Sequence, residues 1–197
     1  MNLGVHSKRI KIIQERKKTF KHLIKYISLK KNNMRLYLYF IICVFSITIN
    51  AQSSIPKVLE KLNNRTVPYI YVKELSEKKN LVFLDAREPK EFKVSHIYGS
   101  IPVGFDHFKS KNVTSKIKNK KTTLIVYCSI GVRSEKIGER LQKLGYKNVF
   151  NLYGGIFEYK NSGGNVVNVQ NKVTDSVHTY NKLWSAYLIK GIKVYEK

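Results

Sequence analysis

The sequence predicts an α/β fold with a doubly wound, mostly parallel sheet. Short apolar runs, each the length of a buried strand, alternate with segments whose apolar residues recur at helical spacing. This alternation favours parallel strands with helices on both faces of the sheet. From Pro68 onward the chain of 197 residues still has 130 residues, which is enough for one domain with its own core.

The first half of this domain predicts short strands and short helices. Residues 81–84 are wholly apolar and predict a buried strand. Residues 89–94 predict a helical turn with Pro89 near its start, where proline is tolerated. The lysine-rich stretch 109–121 is interpreted as a solvated face or a loop. The other predicted elements here are a helix at 54–63, a strand at 69–72, a short helix at 73–79 and a short strand at 100–103.

The second half continues the alternation from a strand predicted at 123–127. A helix is predicted at 134–144, and Gly145 is suited to the position just after a helix. Residues 149–152 predict the last strand of the sheet, and a glycine pair then permits a tight turn before a short helix at 156–160.

Residues 163–197 are expected to form a C-terminal extension that packs on the domain. Their apolar side chains are spaced as in one stripe of a helix, so a helix is the predicted structure. The residues of this stripe are Val177, Tyr180, Leu183, Trp184, Tyr187 and Leu188.

One loop carries the residues that are most informative about function. Cys128 follows the strand at 123–127, and a helix follows a few residues later. The backbone N–H groups of such a loop can point at one place, and the helix N-terminus adds partial positive charge. A thiolate there is stabilised, so its pKa falls and the cysteine can act as a nucleophile at neutral pH. Asp85 also follows a strand end, which predicts that it shares this site.

Four stretches, in the same order, resemble the rhodanese-like sulfurtransferase family. The loop 128–134 reads C-x-x-G-x-R-S and is similar to that family's active-site loop. Residues 81–92 resemble its strand followed by D-x-R-x-x-x-E-[FY], residues 95–102 its G-H-I-x-G-[AS] turn, and residues 145–156 its closing stretch. The resemblance covers residues 66–162. It implies a parallel α/β sheet and a persulfide on the loop cysteine, which a donor such as thiosulfate loads and a thiophilic acceptor unloads.

The chain departs from the family pattern at three positions. Ser129 stands where many active members carry Arg or Lys, Ser95 replaces a glycine, and Tyr159 replaces a tryptophan. The first departure removes a cation from beside the substrate. Four residues separate Cys128 from Arg133, as in sulfur-handling loops. Phosphatases of similar fold carry one more, so we do not expect a phosphatase.

The loop residues have separate expected roles. Cys128 is expected to be the nucleophile and the persulfide carrier. Arg133 has two open roles, because its guanidinium can bind an anionic substrate or pair with Asp85 or Glu91 to hold the loop. Ser134 is placed to cap the following helix. Backbone N–H groups are expected to cradle the negative sulfur or the leaving anion; they belong to Ser129, Ile130, Gly131, Val132, Arg133 and Ser134.

Three further residues are expected to support the site. Asp85 is expected to hydrogen-bond loop backbone groups, and Arg87 to pair with a nearby acid. His96 lies in a turn and is expected to make a structural hydrogen bond, since sulfur transfer to a thiolate needs no general base. His178 is a weaker candidate for reaching the site. The sequence predicts neither a metal nor a cofactor.

The N-terminal third predicts export. Residues 36–49 form an uncharged apolar run that follows Met34 and Arg35, and Ala51 supplies a small residue behind it. Together these features predict a signal peptide at 34–51, cleaved after Ala51. In the fold this segment would be an N-terminal hydrophobic helix outside the domain.

The basic residues 1–33 are too long for the start of an ordinary signal peptide, so two interpretations stay open. In the first, translation starts at Met34. In the second, residues 1–33 are a cytosolic tail and residues 36–55 form an uncleaved anchor in the inner membrane. Both put the domain in the periplasm or otherwise outside the cytosol, with residues 52–65 as a linker or short helix.

Charge leaves the class of partner open. The formal net charge is +24, of which residues 52–197 carry +14. A basic surface attracts anions such as thiosulfate or an anionic membrane. We see no motif of a nucleic-acid-binding domain, so nucleic acid is not an expected partner. The expected activity is a thiosulfate sulfurtransferase acting with small sulfur compounds or a partner protein. The alternative is a non-catalytic binding or sulfur-relay module.

Overall fold

The computed structural model describes residues 21–22 and 54–195, and the chain divides into two units, residues 1–52 and 53–197. Within the first unit, residues 21–22 are helical. The predicted signal peptide and membrane anchor lie outside the described residues. Within those residues, no helix combines the length and the apolar character that a membrane crossing requires.

The second unit is built on a five-stranded parallel sheet. Its strands are β1 (Tyr69–Ile70), β2 (Leu81–Asp85), β4 (Ile101–Pro102), β5 (Thr123–Tyr127) and β6 (Asn148–Leu152). Their spatial order is β1-β6-β5-β2-β4, which places β5 at the centre, as in a doubly wound sheet. The predicted α/β class with a mostly parallel sheet is confirmed.

Alternating residues of β5 face two separate hydrophobic cores. Leu124 and Val126 belong to one core, and Ile125 and Tyr127 belong to the other. All four side chains are fully buried. A strand buried on both faces reads as a continuous apolar run, which is why the sequence identified it.

Helices cover both faces of the sheet. They are α1 (Ile55–Leu62), α2 (Pro89–Val94), α3 (Ser110–Thr114), α4 (Val132–Lys143) and α5 (Gly155–Asn161), and a 3₁₀ helix spans Val72–Glu77. In α4, Ile137 and Leu141 lie one turn apart and are fully buried. Gly145, with φ 89°, follows the end of this helix, as predicted.

The lysine-rich stretch 109–121 is more than a solvated loop. It contains α3, and it buries Val113 completely and Ile117 almost completely. Two apolar side chains among six lysines are enough to anchor the segment to the core, because each buried aliphatic side chain stabilises the fold by about 1.5–3 kcal/mol.

The predicted C-terminal helix is wrong. The stretch from 163 to 195, called here the C-terminal segment, contains strands and a 3₁₀ helix at Trp184–Tyr187. The strands are β7 (Val166–Val167), β8 (Val173–Thr174), β9 (Ser176–His178) and β10 (Ile192–Val194). The apolar stripe did not identify them because strand pairing with distant residues decided the local structure.

Strand pairing ties this segment to the preceding part of the domain. β7 pairs in antiparallel fashion with β3 (His96–Ile97) and with β8, and β9 pairs in parallel with β10. Lys160 of α5 donates to Asp175 at 2.7 Å. The C-terminal segment is therefore fixed next to α2 and α5.

Candidate active site

Cys128 follows β5 directly and is the free cysteine of the described residues. Its sulfur accepts a hydrogen bond from the Gly131 N–H at 3.2 Å, and the Ser134 hydroxyl lies 3.6 Å away. Of the predicted cradle of loop amides, the Gly131 N–H thus makes a hydrogen bond to the sulfur. The residue is 2% exposed, so the thiol is reached through a pocket rather than from an open surface.

Two glycines shape the loop around this sulfur. Gly131 precedes α4 with φ 112°, a conformation that side chains rarely adopt, and this turns its N–H toward Cys128. Gly155 packs against the loop backbone, so that a Cβ there would lie 2.3 Å from the Cys128 carbonyl oxygen. The start of α5 donates to that carbonyl, from the Ile156 N–H at 2.9 Å.

The pKa of Cys128 lies below that of an ordinary thiol. Burial alone would raise the pKa, because a thiolate loses hydration in the interior. The positive charge of Arg133 outweighs this loss, together with hydrogen bonds from Ser134 and from the Gly131 N–H. The site therefore favours the ionised sulfur, which is the nucleophilic form.

Arg133 pairs with Glu91, one of the two acids that the sequence left open. The guanidinium donates to both carboxylate oxygens, each at 2.7 Å, and the Glu91 side chain is fully buried. The Ser129 hydroxyl joins this pair, at 3.3 Å from Glu91 and 3.1 Å from Arg133. Burial would raise the pKa of Glu91, but the hydrogen bonds and charge of Arg133, together with the Glu88 N–H and the charge of Arg87, outweigh burial and lower the pKa. The loop is thus pinned to α2, whose first turn presents Glu91.

Asp85 and Arg87 form a second buried pair. Arg87 donates to both Asp85 oxygens, with a shortest distance of 2.7 Å, and to the Ser95 carbonyl at 2.6 Å. Both side chains are fully buried. The carboxylate also accepts the Arg87 N–H, a backbone group of the loop after β2, at 2.9 Å. The pair joins the end of β2 to the residue after α2.

Two histidines occupy positions next to the site. The His96 Nδ1 lies 3.1 Å from the Phe92 carbonyl oxygen, and its ring stacks on the Phe92 ring at 3.8 Å. This is the structural hydrogen bond that we expected. The His178 Nδ1 accepts from the Tyr180 N–H at 3.1 Å. Neither histidine lines the pocket around Cys128.

Ser134 does not cap the helix, so that prediction is wrong. α4 begins at Val132 with Gly131 before it, which places Ser134 in the first turn. Its hydroxyl points back to the sulfur and to Asn151 Oδ1, at 2.7 Å. The sulfur accepts the N–H of Gly131, the residue that precedes the helix.

Two asparagines behind the loop were not predicted as site residues. Asn151 of β6 and Asn63 both donate to the Gly131 carbonyl oxygen, at 2.8 and 3.0 Å. They hold Gly131, whose N–H donates to Cys128. Asn151 is fully buried between two apolar neighbours of β6, Phe150 and Leu152. A polar residue inside such an apolar run is a signal that could have identified it.

A cavity of about 300 Å³ opens over the sulfur. The loop contributes Cys128, Ser129, Ile130, Val132 and Arg133. The rest of the wall is formed by Leu62, Glu88, Phe105, Asp106, Tyr180 and Trp184. Cys128 is thus the floor of a pocket large enough for a small substrate. Within the part of the chain that the structure describes, no three His, Cys, Asp or Glu side chains are grouped as metal ligands.

Comparison with known proteins places this site in a family. The family model for the rhodanese-like domain matches residues 70–162. A solved rhodanese-related protein from Thermoplasma volcanium is 31% identical, covering 51% of this chain and 97% of that one, with a TM-score of 0.44. A thiosulfate sulfurtransferase from Pseudomonas aeruginosa is 23% identical, covering 55% and 21%, with a TM-score of 0.46. Residues 70–162 of the chain thus form a rhodanese-like domain, and this domain contributes Cys128 and its loop to the pocket.

Curated relatives share the domain but are longer. A tRNA uridine(34) hydroxylase of the Aster yellows witches'-broom phytoplasma is 36% identical over 97 residues, covering 47% of this chain and 30% of the relative. The enzyme of the same name from Pelagibacter ubique is 35% identical over 100 residues, covering 50% and 33%. The chain thus spans about a third of the length of these relatives. Their names include a tRNA, which runs against the expectation that nucleic acid is no partner.

Proposed function

We propose that the domain transfers sulfane sulfur through a persulfide on Cys128. The observation that carries the proposal is the environment of that sulfur. It lies at the floor of a pocket, and Arg133, Ser134 and the Gly131 N–H together lower its pKa. A stabilised thiolate that a small molecule can reach is what the first step of the reaction requires.

The proposed reaction consists of two nucleophilic displacements at sulfur. In the first, the Cys128 thiolate attacks the outer sulfur of thiosulfate, a sulfur–sulfur bond forms, and sulfite leaves with the electron pair of the broken bond. In the second, a thiolate, cyanide or a partner protein's thiolate attacks the outer sulfur, and the Cys128 thiolate leaves. The donors that stabilise the thiolate also stabilise it as a leaving group.

The alternative within this class is a relay module with little activity on small donors. Ser129 motivates it, because its hydroxyl binds the Glu91–Arg133 pair and adds no positive charge to the pocket. In a relay, the sulfur would come from a partner protein's persulfide, whose leaving thiolate is held by the partner. The same Cys128 would carry it.

A second candidate is a reaction on tRNA, which the names of the curated relatives favour. The net charge of +14 over residues 52–197 is consistent with a polyanionic partner.

We also propose export of the domain, on the strength of the predicted signal segment at 34–51. An exported domain would not meet tRNA in the cytosol, so the reaction on tRNA and the export of the domain are alternatives. The location of the mature protein decides between them.

Intact mass spectrometry of the purified full-length chain tests the main proposal. After incubation with thiosulfate, the mass should rise by one sulfur atom, and cyanide should remove it with formation of thiocyanate. Cys128→Ser should carry no added sulfur, and Ser76→Ala, at an exposed position outside the pocket wall, serves as the control. An adduct that persists in Cys128→Ser contradicts the proposal. The unloaded mass also reports whether the chain is cut after Ala51.

Loading by a protein persulfide but not by thiosulfate would select the relay. Retardation of tRNA in a native gel that survives about 0.2 M salt would support the second candidate, since non-specific phosphate contacts weaken steeply with salt.

A further inference from the structure

We propose that the pocket selects a thiol acceptor with an uncharged aromatic or apolar group next to its sulfur, through a wall formed by Tyr180 and Trp184. The proposal rests on the proposed sulfur transfer and names the class of acceptor. It assigns a role in specificity to the C-terminal segment, which lies beyond residues 70–162 of the family match.

The shape of the pocket provides the first argument. Above the sulfur, the wall is formed by two aromatic side chains of the C-terminal segment, together with Leu62 of α1 and Phe105. Trp184 is half-buried, whereas Tyr180 is 51% exposed and stands at the edge. A cavity of about 300 Å³ is at the small end of the range for ligand pockets and fits a ring of benzyl size.

The charges of the wall provide the second argument. Among the described residues, Arg133 is the basic residue that lines the pocket. Its guanidinium is already paired, because it donates to both carboxylate oxygens of Glu91 at 2.7 Å. Glu88 and Asp106 add two carboxylates to the wall. Glu88 is fixed there, because its carboxylate accepts the Phe105 and Asp106 N–H groups at 3.1 Å. The lining of the pocket thus disfavours an acceptor thiolate that carries a second negative charge, such as a carboxylate, although the chain as a whole has a net charge of +24.

The backbone at Tyr180 provides the third argument. Its φ is 65°, in the left-handed region that a tyrosine rarely adopts. The conformation is held by the N–H bond to His178 and places the ring 5.8 Å from the Arg133 guanidinium carbon. Backbone strain of this kind tends to occur where a side chain must be positioned for function. The Trp184 N–H is held in turn by Asn181 Oδ1 at 3.0 Å.

The test compares acceptors on persulfide that has already been formed. The full-length chain is loaded with thiosulfate, or with inorganic polysulfide if thiosulfate fails, and loading is confirmed by mass. Loss of the sulfur is then timed with benzyl mercaptan, 2-mercaptoethanol and 3-mercaptopropionate at equal thiolate concentration. Glutathione persulfide, which has no pocket, is treated with the same three thiols to give their intrinsic rates. Failure to load either donor would count against the proposed function, whereas the acceptor preference tests the present inference alone.

The measured preference is the ratio of the rate with benzyl mercaptan to the rate with 2-mercaptoethanol. For the wild-type persulfide this ratio should be about threefold to tenfold larger than for glutathione persulfide, which is the range expected for an aromatic contact. It should react more slowly with 3-mercaptopropionate than glutathione persulfide does. Tyr180→Asn tolerates the left-handed backbone but lacks the ring, so it and Trp184→Ala should reduce the preference. Tyr180→Phe should retain it. Leu183→Ala, at a site 77% exposed and outside the pocket wall, should leave it unchanged.

A preference equal to that of glutathione persulfide would overturn the proposal. So would a preference that survives both ring-removing variants. If Trp184→Ala does not load sulfur, the comparison of Tyr180→Asn with Tyr180→Phe decides the question, because that site is exposed and tolerates substitution better.

Discussion

Arg133→Met tests how the candidate site is held together. The change removes the guanidinium but keeps an unbranched side chain of similar reach. It leaves the Glu91 carboxylate, which is fully buried, with the Ser129 hydroxyl and the Glu88 N–H as its remaining donors. Breaking a buried ion pair by removing one partner costs about 3–5 kcal/mol. Because the Arg133 side chain is 20% exposed and two donors remain, we expect a loss of about 3 kcal/mol at neutral pH.

The loss should depend on pH in a defined direction. In the wild type the pKa of Glu91 lies below its ordinary value of 4.5, so its contribution to stability is present above that value and lost as the pH falls through the lowered pKa. In Arg133→Met, burial without the guanidinium raises the pKa of Glu91. The variant then loses stability as the pH rises through the raised value. The difference from the wild type should therefore shrink from about pH 7 to about pH 4.

Urea unfolding of the full-length chain at several pH values measures this difference. The double variant Arg133→Met/Glu91→Gln is the matched control, because it removes the buried charge as well as its partner. It should be more stable than Arg133→Met alone at neutral pH. A loss below about 1 kcal/mol, or a loss that is the same at both ends of the pH range, would refute the reasoning.

Two further substitutions probe the loop. Gly155→Ala should destabilise the protein by about 3 kcal/mol, because its Cβ would lie 2.3 Å from the Cys128 carbonyl oxygen at a φ of 55°. Gly145→Ala, which also has positive φ but has open space around it, should cost about 1 kcal/mol, and equal losses in the two variants would contradict this account. Ser134→Ala should raise the pKa of Cys128, seen as an upward shift in the pH dependence of alkylation by iodoacetamide. The shift should be smaller than in Arg133→Met, since the guanidinium lowers the pKa more than the hydroxyl does, and an unchanged midpoint would count against the hydroxyl.

Much of the fold could be predicted because local patterns specified it. The central strand is apolar on both faces, and the helix after the loop has buried residues one turn apart and a glycine after its end. These features act over a few residues and need no distant partner. The same is true of Cys128, whose position between a strand and a helix determines which backbone groups surround it.

Other features depended on contacts between distant residues. The sequence offered Asp85 and Glu91 as partners of Arg133. In the structure Arg133 pairs with Glu91, which lies in the first turn of α2. Asp85 is already paired with Arg87. Asn151 and its bond to the Gly131 carbonyl depend on the pairing of β6 with β5. No local pattern encodes that geometry.

The sequence by itself determined the class of fold, the position of Cys128 in its loop and the resemblance to the family, since each follows from periodicity or from short motifs in fixed order. The tertiary structure alone decided how the thiolate is held and what surrounds it. The wall of the pocket comes from a C-terminal segment whose strands pair with distant residues, so Tyr180 and Trp184 reach the site only after the chain has folded back. Charge and burial at one atom depend on such long-range packing, which a linear pattern does not contain.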